Sequence, residues 1–136
     1  MQRAVAYTSG MNPRQISIEI AIATRYLEDQ SKPDDDRYVF SYTIRLRNVG
    51  DEPARLHARH WIITDAKGQT REVRGEGVVG EQPRLEPGQS FEYSSGAVLE
   101  TECGTMHGSY EWVTDDGASV EGEIPRFTLS IPRTLH

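Results

Sequence analysis

Between Arg71 and Pro83 the chain reads Arg-Glu-Val-Arg-Gly-Glu-Gly-Val-Val-Gly-Glu-Gln-Pro, which puts Gly75, Gly77 and Gly80 at the spacing GxGxxG. In a dinucleotide-binding turn such glycines let backbone N–H groups close on a pyrophosphate, and a helix opens behind them. Here Pro83 and then Leu85-Glu-Pro-Gly88 follow, and the prolines leave no room for that helix. A Walker loop needs a lysine and a hydroxyl after its last glycine, and Glu81 and Gln82 stand there instead. What survives is an anion nest of successive N–H groups, with Arg74 and Arg84 supplying guanidinium forks. Arg74, Gly75, Gly77, Gly80 and Arg84 are therefore the candidate site for phosphate, pyrophosphate or a nucleotide. Glu76 and Glu81 lie in the same segment and oppose an anion. The plainer alternative is a crossing that uses glycine for positive φ, with the arginines paired to those two glutamates.

Other reactive types are sparse. Glu28 to Asp36 holds five carboxylates and Pro33 without an apolar residue between them, which reads as a solvated loop rather than a calcium loop. His57 and His60 are three apart, so on a strand they point to opposite faces unless a bulge intervenes, and they do not form a metal pair. Cys103 is the one cysteine; it excludes an intrachain disulfide and reads as a small packing residue. Ser94, Ser95 and Ser109 lie near His107 in sequence, but no nucleophile elbow surrounds them. The expectation is no catalytic residue, no metal site, no cofactor and no enzyme.

The chain has 136 residues, enough for one domain with its own core. Its net charge of −6 argues against nucleic acid as the main partner. No apolar run is long enough to span a bilayer, and the first ten residues lack the apolar core of a signal peptide. With a single cysteine, this places the protein in the cytoplasm as an expectation.

The elements that must position these residues read as strands. Residues 1–14 show no period and are expected to be a flexible arm. Ile16, Ile18, Ile20 and Ile22 then share one face, and Tyr38, Phe40, Tyr42, Ile44 and Leu46 do the same in a second strand. Glu19 should meet an arginine of that second strand across the polar face. A third strand covers about 54–65 with Trp61 as a central core residue, and a short fourth, from Gln69 to Val73, leads into the glycines. Phe91–Ser95 forms a strand, Gly96–Gly104 a surface connection with Val98-Leu99 as an apolar plug, and Met106–Val113 another strand. Asp115-Asp-Gly117 is a hairpin turn, and the return strand carries Pro125 as a bulge or edge residue. About seven strands without a helical period give an antiparallel β-sandwich of the immunoglobulin or fibronectin type III kind over 15–132, with 133–136 frayed.

Several long stretches, in order, resemble the ApaG (CorD) family. They are Arg37–Ile44, Arg59-His-Trp-Ile-Ile-Thr-Asp65, Val73–Pro83, Leu85–Gly88, Phe91–Gly96 and Gly104–Tyr110. The resemblance implies a fibronectin type III-like sandwich and an association with cobalt resistance and magnesium efflux by an unknown mechanism. It also implies use as a protein-interaction module, and it maps the proposed phosphate or nucleotide motif onto Gly75, Gly77 and Gly80. The expected function is thus a non-catalytic binding domain with a protein partner. A phosphate-containing small molecule is the alternative ligand, and a homodimer is compatible with either.

Overall fold

The computed structural model describes the backbone of residues 3–9 and all of residues 16–132. The rest of the expected arm and the expected frayed C-terminus at 133–136 lie outside the described residues. The strands are β1 (Arg3–Ser9), β2 (Ser17–Tyr26), β3 (Tyr38–Asn48), β4 (Ala54–Asp65), β5 (Thr70–Glu76), β6 (Arg84–Leu85), β7 (Ser90–Leu99), β8 (Cys103–Thr114) and β9 (Ser119–Ser130). Two sheets with orders β1-β2-β3-β7 and β5-β4-β8-β9 form the sandwich, and β6 extends the second by pairing with β4. All strand pairs are antiparallel.

The seven long strands, β2 to β5 and β7 to β9, are those that the alternation predicts. β1 is a finding: part of the expected arm pairs with β2, from Arg3 opposite Ala23 to Ser9 opposite Ser17. β7 also runs further than its sequence suggests. Gly96–Leu99 continues the strand rather than forming a surface connection, and Leu99 is buried. Between β2 and β3 the acidic segment forms two single-turn 3-10 stretches with no buried residue.

The core follows from period two. Ile16, Ile18, Ile20 and Ile22 are buried against Phe40, Ile44 and Leu46 of β3 and the inner face of the other sheet. Each such side chain contributes about 1.5–3 kcal/mol on leaving water. Across the polar face of β2 and β3, Glu19 stands directly opposite Arg47. At the centre, Trp61 of β4 contacts Tyr42 of the facing sheet and Tyr110 and Phe127 of its own. The hydroxyls of Tyr93 and Tyr110 bond to each other inside the sandwich. Burial raises the pKa of both phenols, so they stay neutral.

Two bulges adjust the second sheet. The β4–β8 register shifts between Leu56 and Ala58, which makes His57 the extra residue. The β8–β9 register shifts opposite Met106 and Gly108, and the extra residue falls on β9 next to Pro125, on an edge strand as its ring requires.

Candidate functional site

The bulge at His57 organises the glycine segment. β5 pairs with β4 as far as Glu76 opposite Ala58, and the chain then turns. The His57 carbonyl accepts from the Gly77 N–H (2.8 Å) and from Gln82 Nε2 (3.0 Å). Val78 and Glu81 exchange two backbone hydrogen bonds (2.8 and 2.9 Å), closing a two-residue turn of Val79 and Gly80. Both turn residues have positive φ, 44° and 80°, as a type I′ hairpin turn demands. Gly77, at φ 60°, is also required for space: a Cβ there would lie 2.2 Å from the Glu81 carbonyl oxygen.

The segment expected to be an open glycine loop is thus a stitched hairpin. The N–H groups of Gly77, Val78 and Glu81 already donate to carbonyls, which withdraws them from an anion nest. Arg59 Nη1 donates to the carbonyls of Glu76 (3.1 Å) and Gly77 (2.9 Å), and Arg55 Nη1 to that of Gln82 (2.8 Å). Gly75 has ordinary φ, and a Cβ there would lie 2.7–2.9 Å from the Arg59 guanidinium, which would have to shift off its carbonyl partners to admit a side chain.

The two candidate arginines are not brought together. Arg74 stands opposite His60 and Arg84 opposite Arg55, which separates them by about 15 Å along β4. Their partners also differ from the expected Glu76 and Glu81. Arg74 pairs loosely with Glu72 at 3.8 Å, whereas Arg84 is held by both carboxylate oxygens of Asp115 (2.9 and 2.5 Å) and by Glu86 (2.6 Å). These acids lie outside the glycine run, so only the fold selects them.

The Arg84 bond holds the Asp115 carboxyl below its ordinary value of 3.8 and raises the Arg84 guanidinium further. A depressed carboxylate contributes stability above its ordinary range and loses it as pH falls through the folded-state value. Arg84→Gln should therefore return Asp115 to the ordinary carboxylate range in an NMR pH titration. It should also flatten the acid limb of stability below about pH 4.

An open groove of about 610 Å³ lies on the outer face of the second sheet. Ala58 and Ser109 give it a low floor, and His60, Arg74, Glu111 and Glu121 stand around it. Arg74 and Gly75 are the two candidate residues that line it. His57 Nδ1 lies 2.6 Å from Glu111, and His60 Nε2 lies 2.8 Å from Glu72. The bulge turns both histidines to this face, which strict alternation forbids, yet among the described residues no three His, Cys, Asp or Glu side chains converge as a metal site. Ser94 bonds Thr43 on the outer face of the other sheet (2.7 Å), so the fold separates it from His107 and Ser109.

Sequence reasoning missed Val79. It is β-branched, 53% exposed and left-handed, while Val78 beside it is fully buried. Val-Val-Gly hid the turn because the residues that usually signal it, asparagine or aspartate before glycine, are absent. Val79→Asn should stabilise the fold by about 1 kcal/mol, read as a higher urea midpoint, because asparagine tolerates this conformation.

The comparisons agree with this architecture. A family model described as the ApaG domain matches residues 28–114. Protein ApaG of Thiobacillus denitrificans is 57% identical over 123 residues, covering 90% of this chain and 97% of that one. Protein ApaG of Xanthomonas campestris is 56% identical over 119 residues, with 88% and 94% covered. The Bordetella pertussis crystal structure assigned to ApaA superposes with a TM-score of 0.85 at 47% identity, covering 88% of this chain and 97% of that one. With its sandwich, its glycine hairpin and these relatives together, the chain belongs to the ApaG family.

Proposed function

We propose that the domain is a non-catalytic module that binds a protein partner. Val79 carries this reading. A β-branched residue in left-handed backbone costs about 1–2 kcal/mol, and here that strain holds an apolar side chain in solvent at a hairpin tip. The tip lies just beyond Gly75 and Glu76 of the outer groove, whose rim carries charge of both signs. An apolar anchor beside a polar rim suits a protein surface better than a small anion. The association with cobalt resistance and magnesium efflux that the family resemblance implies would be exercised through that partner.

The test is affinity capture from the protein's own cell extract, with the full chain as bait beside its Val79→Asn variant. A protein retained near stoichiometry by the first and depleted at least tenfold on the second is expected. Equal retention by both removes Val79 from the interface, and no specific retention contradicts the module.

A further inference from the structure

Sheet edges expose unpaired backbone groups, and native chains blunt them with charge, proline or bulges. Two edges of this sandwich follow that rule. β5 carries Arg71, Glu72, Arg74 and Glu76 among its seven residues. β9 carries Pro125 and a bulge, and it lies against β1.

β7, the edge of the first sheet opposite β1, is blunted far less. It runs ten residues in unbroken register with β3, contains no proline, and has Glu92 as its one charge.

Its hydrogen-bonding direction is fixed by its neighbours. The Asn48 N–H donates to Gln89 O (2.9 Å), and the Leu27 N–H to Val39 O (2.8 Å). Even-numbered residues of β3 therefore bond toward β7 and odd-numbered ones toward β2, because antiparallel pairs alternate. By that alternation Ser90, Glu92, Ser94, Gly96 and Val98 turn their N–H and C=O groups away from β3. The first four are exposed. Arg71 Nη2 reaches the Val98 carbonyl (3.3 Å), as an outward orientation there requires. The bond also closes that end of the edge.

Side chains complete the surface. Ser94 and Gly96 keep the outer side low, and partly buried Phe91 offers apolar surface on the inner side. Beside Val98 and Leu99, a hollow of about 170 Å³ is lined by Ile63 together with the polar residues Gln69, Thr70 and Arg71.

We infer that the Ser90–Gly96 edge of β7 receives an extended peptide segment of a partner protein as an added antiparallel or parallel strand. This rests on the module reading and specifies its partner as a strand with apolar residues at alternate positions. Main-chain bonds would supply affinity, and Phe91 and the small hollow would select side chains. A peptide strand carries no second sheet behind it. A second copy of this chain would have to bring its own second sheet past β5, which Arg71 ties to the same flank.

The test begins with a phage-displayed library of random ten-residue peptides selected on the full chain. The enriched peptide is synthesised and titrated into ¹⁵N-labelled protein. Enriched sequences should alternate apolar and polar residues, and saturable shifts should centre on the amides of Ser90, Glu92, Ser94 and Gly96.

Ser94→Pro removes one outward N–H and no β3–β7 backbone bond, only the exposed hydroxyl contact with Thr43, and should weaken binding at least tenfold with the spectrum otherwise dispersed. Should that variant misfold, Gly96→Lys serves the same end. A Cβ at Gly96 meets only the Phe40 carbonyl at 3.5 Å, and lysine blunts the edge. Failure to enrich any peptide, shifts centred on His60 and Ser109, or unchanged binding in both variants would overturn the inference. So would a concentration-dependent dimer of the full chain that Ser94→Pro abolishes, since the edge would then hold a second copy. Retention of a Val79-dependent partner alongside any of these would leave the module reading standing without the added strand.

Discussion

Trp61→Ala is expected to lower the unfolding free energy by about 3–5 kcal/mol, the range for truncating a buried aromatic. The ring is 2% exposed and lies between the sheets. It meets Tyr42 at 5.5 Å from the facing sheet, Phe127 at 5.8 Å and Tyr110 at 6.3 Å, all near edge-to-face. Such pairs add about 0.5–1.5 kcal/mol each beyond the area they bury. Equilibrium urea unfolding would measure the loss, with Trp112 remaining as the fluorophore. Much of a small domain's total stability is at stake, so the variant should be marginal at 37 °C. A loss below about 1 kcal/mol would show that the sheets are held together elsewhere.

Gly108→Ala should be nearly as damaging, although it adds a single methyl group. Gly108 faces Trp61 across the β4–β8 ladder at the middle of the second sheet. A Cβ on it would lie 1.9 Å from the His60 carbonyl oxygen and 3.1 Å from the Trp61 Cα. Both are backbone atoms of a central strand, so no rotamer relieves the clash and β4 must separate from β8. The expected loss is about 3 kcal/mol, at the upper end of overpacking. Gly96→Ala is the control: its Cβ finds ordinary contact, and it should change stability by less than about 0.5 kcal/mol. Equal midpoints for the two variants would contradict the close approach at Gly108.

The difference between these glycines is invisible in the sequence, because it depends on what lies across the sheet. The same holds for other misses. Ile16, Ile18, Ile20 and Ile22 announce their strand by themselves, and Trp61 announces a core position. Arg3–Ser9 has no such period, and its structure comes from the backbone that β2 offers it. His57 carries no mark of a bulge, yet the shift there turns His60 outward with it and aims its own carbonyl at Gly77. The glycine spacing leaves an anion nest and a plain crossing both open, because one-dimensional spacing does not say which N–H groups are already bonded. Proximity in sequence pairs Arg84 with the glutamates of the glycine segment, whereas its strongest partner, Asp115, is 31 residues away in the β8–β9 hairpin.

Gly75, Gly77 and Gly80 build a hairpin, and on the proposed reading it is Val79 at its tip that would meet a partner. The most direct measurement is a backbone NMR titration of the ¹⁵N-labelled full chain with pyrophosphate and ATP, each with and without Mg²⁺ or Co²⁺. Because the amide of Gly77 already donates to His57 of β4 and those of Val78 and Glu81 to each other's carbonyls, no saturable shift is predicted between Gly75 and Arg84. Saturable shifts confined to that segment would contradict the account and make the glycine hairpin an anion site after all.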